Sequence, residues 1–150
     1  MLIKLFQQAG RVTEGGLIAF QGVVGGIGEK VDISEIGCYL KYALESQDDD
    51  CARLACGIIQ DLSESMGAGL TGYLADFVPC LCNILRSATT DKKIKLPALQ
   101  ALGALSLYQG DDYNKTYLDD TLVIFNSAAE MSTNVSGYPQ DDYENLDFCR

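Results

Sequence analysis

The sequence predicts an all-α protein, an α-α superhelix of about three to four stacked helical hairpins. Three observations predict it. Apolar residues recur in steps of three, four and seven along most of the chain, the period of one helical face. Glycine punctuates the segments at Gly28, Gly67 and Gly110, which are 39 and 43 residues apart. Each of these is followed by a second amphipathic stretch and then a short polar turn carrying Asp or Ser.

The clearest pair of elements runs from Asp48 to Arg86. Its first helix carries Leu54, Ala55, Ile58, Leu62 and Met66 on one face, and Asp50, Gly57, Asp61 and Glu64 on the opposite one. Gly67 and Gly69 are expected to stop it, because glycine takes up left-handed backbone geometry at little cost. The second helix is expected from Leu70 through Leu74, Phe77, Val78, Leu81 and Leu85. Pro79 lies inside it and should bend or shorten it.

Before this pair, residues 1–9 read as the end of a helix. Residues 13–28 form the next, with Leu17, Phe20, Val24 and Ile27 on one side and Thr13 as N-cap. Its many glycines each cost about 1 kcal/mol relative to alanine, which suggests close approach of another backbone. Residues 33–46 form a third helix, with Ile33, Ile36, Leu40 and Leu44 as its stripe. After a loop over 87–92, a helix over 93–109 places Leu99, Leu102 and either Leu105 or Ser106 on its stripe, with Pro97 tolerated in its first turn. Gly110, Asp111 and Asp112 close it. A helix over 114–130 is expected to bury Leu118, Leu122, Phe125 and Ala129. A polar loop over 131–142 and the first turns of another helix over 143–150 follow. Thr121–Phe125 is strand-like by itself, but its flanks continue a helical spacing.

Two helices every 40 or so residues is the signature of a HEAT-repeat solenoid. Tetratricopeptide units would be nearer 34 residues, and armadillo units need a third short helix that finds no place here. The units are expected at roughly 1–30, 31–68, 69–111 and 112–150. Neither end reads as a polar cap, so the chain is expected to be a section of a longer solenoid.

Composition narrows the function classes. The net charge is −10, and there is no histidine. Phosphate-rich partners, nucleic acid and anionic membrane, would be repelled; a basic protein partner would be attracted. No run of about 18 uninterrupted apolar residues suggests membrane insertion. No cleavable signal is visible at the N-terminus, which makes cytosol or nucleus the default. The six cysteines lack C-x-x-C spacing, and Cys80 and Cys82 should point to different sides of their helix. Buried free thiols without a metal are therefore expected. No catalytic signature occurs: the commonest general base is missing, Gly25–Lys30 only faintly resembles a phosphate loop, and Asp119 and Asp120 are neighbours that face apart. No enzyme activity, cofactor or metal is expected.

Several long colinear stretches carry a family resemblance. Val12–Lys30 is similar to a segment that opens an inner helix with Glu and Leu-x-Ala and ends in Gly. Cys51–Gly67 is similar to a Gly-Leu-Val-Gly-Asp-Leu helix, with Gly57, Ile58, Ile59, Asp61 and Leu62 in place. Ile94–Leu107 resembles a helix that opens with a basic residue and Pro, and Thr116–Ser132 the outer helix after it. Asp141–Arg150 resembles the Asp/Tyr-rich entry to a further repeat. Together these resemble the importin-β (karyopherin-β) nuclear transport receptors of the importin subunit β-1 type. Gln60 departs from the pattern where Gly is frequent, and Ala104 where an acid usually follows Gly103. The helix over 33–46 also looks short at its start.

The resemblance implies a nuclear import receptor. Its partners would be the basic importin-β-binding segment of the adaptor importin-α, cargo proteins, Ran-GTP, and the Phe-Gly (FG) repeats of nucleoporins. It would shuttle between cytoplasm and nucleus through the pore. A concave face lined by acids would attract a Lys/Arg-rich helix. The expected acids are Glu14, Asp50, Asp61, Glu64, Asp111 and Asp112, with Asp61 and Glu64 foremost. Tyr42, Phe77, Leu81 and Phe125 are the expected FG contacts on outer helices. Ordinary solvated acids and ordinary core packing are the competing readings of these two sets. The competing function is a HEAT-repeat structural scaffold, of the phosphatase- or coat-subunit kind, with no transport role.

Overall fold

A computed structural model describes residues 14–27, 30 and 32–134, apart from the side chains of Ile27, Glu35 and residues 131–134. The expected features at 1–9, Thr13, Gly28 and 135–150 lie outside the described residues. Helices α1 (Glu14–Ile27), α2 (Gly37–Glu45), α3 (Asp49–Met66), α4 (Leu74–Arg86), α5 (Lys92–Gln109) and α6 (Asp111–Asn134) are joined by 3-10 turns at Ile33–Glu35 and Gly67–Tyr73. No strand occurs among the described residues, and Thr121–Phe125 is helical.

The helices form two layers. α1, α3 and α5 stack side by side in one, and α2, α4 and α6 in the other. Across the layers α2 packs on α3, α4 on α5, and α5 on α6. Ion pairs tie the second layer: Lys41 of α2 meets Asp76 of α4 at 3.1 Å, and Arg86 of α4 meets Asp120 of α6 at 3.1 Å. These are surface pairs, which contribute modestly beside the buried apolar area.

The repeat is written most plainly in α3 and α5. Both are 18 residues long. Asp48 caps α3, its carboxylate accepting from the N–H groups of Asp50 (3.1 Å) and Cys51 (3.2 Å). Asp91 caps α5 in the same way, accepting from the N–H of Lys93 at 2.9 Å. Gly67 ends α3 with φ 50° and ψ −125°; Gly110 ends α5 with φ 57° and ψ −127°. The sequence suggested the ordinary left-handed helix stop. The observed torsions are instead the mirror image of an extended residue, a region where a Cβ is more strongly opposed. Asp48→Ala should lower stability by about 1 kcal/mol through loss of its cap, readable as a shift in the urea midpoint.

Several boundaries differ from the sequence reading. The expected helix over 33–46 starts as a 3-10 turn, with Asp32 accepting from the N–H of Ser34 at 3.0 Å, and becomes α-helical only at Gly37. Leu70 is buried, but on the 3-10 turn; the α-helix begins at Leu74. Pro97 sits in the second turn of α5, because the Asp91 cap starts that helix at Lys92. Four glycines of α1 do not serve close packing: a Cβ at Gly15, Gly22, Gly25 or Gly26 would meet nothing within 4 Å among the described residues.

The largest correction concerns α6. Its buried residues are Tyr113, Thr121 and Ile124, with Tyr117 packed against the core. Leu118 and Leu122, expected on the buried stripe, are exposed, and Ala129 is exposed too. A polar group explains the rotation. The Thr121 hydroxyl donates to the Tyr117 carbonyl at 2.7 Å and accepts the hydrogen of the buried Tyr113 hydroxyl. With its polar ends satisfied, this face can be buried; the aliphatic one is left outside.

One core runs through the stack, with Leu40, Ala55, Ile58, Ile59, Leu62, Leu70, Phe77 and Leu102 fully enclosed. By length and composition alone Asp49–Arg86 would cross a membrane. In this fold Gly67–Tyr73 breaks it into α3 and α4, one in each layer, and both turn their apolar faces to that core.

Candidate functional site

The six candidate acids fall in different places. Glu14 opens α1 and Asp50 lies in the first turn of α3, and both carboxylates act on the thiol of Cys51. The thiol of Cys51 between them is pushed up to about 11, first by burial and then by the carboxylates of Asp48, Glu14 and Asp50. Glu14, Asp48, Asp49 and Asp50 are all exposed. They make an acidic edge along the starts of two neighbouring helices, lightened by one pair, Asp50 with Arg53 at 3.6 Å. The edge opens into a notch of about 560 Å³ between the turns at 46–48 and 87–91. Asp49 and Glu45 bring charge to that notch, and Ser46, Asn83 and Thr89 bring neutral polar groups.

Glu64 is exposed but stands apart. It lies fourteen residues beyond Asp50 on α3, about 21 Å along the axis at 1.5 Å per residue. Asp61 is engaged inside the stack. Its carboxylate accepts from the Gln21 side chain at 3.2 Å, across the seam between α1 and α3. Gly57 lies under the same glutamine: a Cβ there would stand 3.2 Å from the amide nitrogen. The middle of the α3 face that read as polar and open, at Gly57 and Asp61, is therefore covered by α1. A middle helix of a stack has a neighbour on either side, and helical periodicity alone does not reveal the second one. Asp111 and Asp112 are exposed, but they belong to the first turn of α6, in the other layer. α6 starts directly after Gly110, so they are the first two residues of a new helix; the sequence reading had them closing α5.

The candidate apolar contacts divide equally sharply. Tyr42 on α2 is 68% exposed, and Phe125 is half-buried beside Gly103 of α5. Phe77 and Leu81 are fully enclosed in the core and offer a partner no surface. Leu118, Leu122 and Val123 of α6 are exposed apolar residues that the sequence reading did not select for contact. Their signal was present as a second apolar stripe on one helix.

The buried thiols are chemically quiet. Burial pushes Cys56 up to about 12, and burial with Glu45 pushes Cys80 up to about 11. Thiols so far above neutral pH carry almost no thiolate, the reactive form. Cys80 faces Glu45 of α2 at 3.6 Å, while Cys82 feels Arg86 and Asp120 on the α6 side. The two do point to opposite neighbours. Cys38, expected at a core-like or half-buried position, is exposed. No metal-holding group of side chains occurs among the described residues.

Residues 2–150 match a family described as importin subunit beta-1-like, TPR repeats. The chain belongs to that family. No curated protein and no solved structure matched it. The importin-β-like family comprises non-enzymatic transport receptors of the karyopherin type, built as α-α superhelices. Here the 43-residue offset from Gly67 to Gly110, and from cap Asp48 to cap Asp91, is longer than a tetratricopeptide period of about 34. The family suggests a karyopherin-type transport receptor with a nucleocytoplasmic location.

Proposed function

We propose that the chain is a repeat section of a nuclear import receptor, and that its acidic edge holds a basic segment of the kind carried by importin-α or cargo. One observation carries this beyond the family: the exposed carboxylates of Glu14, Asp48 and Asp50 all act on the Cys51 thiol, and exposed Asp49 lines the adjoining notch. Clustered carboxylates speed the encounter with a Lys/Arg-rich helix and reject acidic competitors. A guanidinium or ammonium entering the notch would find Glu45 and Asp49 as counter-charges. Ran-GTP contact and FG-repeat contact belong to the same proposal. Tyr42 is the best placed of the candidate aromatic residues for the latter. So do the unit bounds near 30, 68 and 111, and shuttling between cytoplasm and nucleus.

The test is calorimetric titration with a basic helical peptide near physiological salt. Reversing charge at Asp49 and Asp50 together should weaken binding about three- to tenfold, with a smaller loss for Glu64→Lys. Asp61→Asn should alter stability, since that carboxylate is held by Gln21. Equal affinities for the wild type and the Asp49/Asp50 variant would remove the edge as the contact. Absence of any salt-sensitive peptide binding by the wild type would favour a passive scaffold.

A further inference from the structure

The residues that flank the turn 87–91 carry a surface of the opposite charge. A groove of about 630 Å³ opens between the last turn of α4, the first turns of α5 and the second half of α6. Leu96, 40% exposed, half-buried Leu99 and Val123, 60% exposed, are its apolar lining. Arg86, Lys92 and Lys95 line it with positive charge. The groove belongs to the seam between α4 and α6. Asp120, Val123 and Ser127 follow one another at helical spacing on α6, and Asp120 meets Arg86 of α4, so this flank turns toward α4. Leu118, Leu122 and Phe125 lie on the other flank, where Phe125 stands beside Gly103 of α5.

The charge at the start of α5 runs against its helix. α1, α3, α4 and α6 each carry an acid in the first turn. α5 carries none there and begins with Lys92 and Lys93, and cations at that end oppose the helix dipole. Four of the chain's eleven bases fall within Arg86–Lys95, against the single acid Asp91. Asp91 caps α5 and Asp120 pairs with Arg86. Lys92 and Lys95 make no ion pair among the described residues. Folding alone would favour acids at these positions.

We infer that the groove docks an amphipathic helix of a partner protein, one with Asp and Glu flanking an aliphatic stripe. The sign follows from Lys92 and Lys95, which gain from such a partner the counter-charge that the start of α5 denies them. The helical form follows from the walls. They are helical segments with no open strand edge, so an extended segment would find no ladder for its backbone, whereas a helix arrives with its own bonds made. Leu96 and Leu99, one turn apart, match the spacing of a helical stripe, and covering Leu96 and Val123 supplies the apolar contribution. This site is opposite in charge to the acidic edge and does not rest on that edge's function.

The test is fluorescence anisotropy on the full 150-residue chain near physiological salt. The probe is a labelled helical peptide of about 18 residues, with leucine at three- and four-residue spacing and glutamate on both flanks. The wild type should bind it saturably. Lys92→Glu with Lys95→Glu should weaken binding about tenfold, and Val123→Ser about threefold. Lys93→Glu, the same change outside the groove lining, should stay within about twofold, because salt screens charges away from the contact. The double variant should also unfold at a higher temperature than wild type, since acids then stand at the start of α5. Binding lost while stability rises separates docking from folding. No saturable binding up to about 1 mM would overturn the proposal. So would equal affinity for the peptide with every glutamate replaced by glutamine, or for a Phe-Gly peptide without acids, because the groove would then read apolar groups alone. A lower unfolding temperature in the double variant would assign the lysines to the fold instead. Lysine-dependent sedimentation with phosphatidylserine vesicles, in place of peptide binding, would assign the groove to a membrane and equally overturn it.

Discussion

Phe77→Ala is expected to destabilise the fold by about 3–5 kcal/mol, the range for deleting an enclosed aromatic ring. Phe77 has no accessible surface and stacks with Tyr73, ring centroids 6.0 Å apart and planes 21° from parallel. It sits on α4, which packs against α2, α5, α6 and the 3-10 turn before it. The void would therefore open where several elements meet and where none can close it alone. At this chain length each kcal/mol lowers Tm by roughly 2–4 °C. Thermal and urea unfolding should show the loss in the absence of any partner. Tyr42→Ala removes an aromatic residue of the same layer that is mostly in solvent, and should stay within about 0.5 kcal/mol of wild type. The contrast separates two roles the sequence could not. If Phe77→Ala left stability intact, the packing of α4 described here would be wrong.

That contrast shows where sequence reading succeeds and where it stops. Periodicity located every described helix, because each has one face that must be dry: Leu17, Phe20 and Val24 on α1, and Leu40 and Leu44 on α2, are buried as their spacing requires. The repeat was legible because it is written in backbone-controlling residues, Gly67 with Gly110 and Asp48 with Asp91. Periodicity could not decide between two apolar stripes on α6. Tyr113, Tyr117, Thr121 and Ile124 prevailed over Leu118, Leu122 and Val123 because hydrogen bonds within the helix satisfy the Tyr113 and Thr121 hydroxyls, and apolar periodicity does not count polar residues that bury by pairing with each other. The candidate acids were legible as charges but not as neighbours. Glu14 and Asp50 are 36 residues apart in sequence, yet both act on the Cys51 thiol because α1 and α3 stack. Asp61 looked equally open, yet Gln21 lies over it.

The same limit concealed Gln109, the residue that fixes the register between successive turns of the stack. It occupies the stripe of α5 one residue before Gly110 and is 5% exposed. Its amide nitrogen donates to the Gly67 carbonyl, and its amide oxygen accepts from the Thr71 hydroxyl at 3.1 Å. Gly67 is the residue with mirror-image torsions at the end of α3, so the glutamine of one helix pins the stop of its neighbour. Gln109→Leu keeps the volume close to native but leaves the Gly67 carbonyl without this donor, an expected loss of about 1–3 kcal/mol. Thr71→Val should lose less, because it removes only the weaker of the two contacts and leaves Gln109 on Gly67. Residues that share a partner do not add. The double variant should therefore lie closer to Gln109→Leu than to the sum of the two single changes. Amide exchange should quicken first over Gly67–Tyr73, ahead of global unfolding, since that turn loses its anchor while the apolar core stays filled. Strict additivity, or exchange that quickens evenly across all helices, would mean that Gln109 merely fills space and that the stop of α3 is held by its glycine alone.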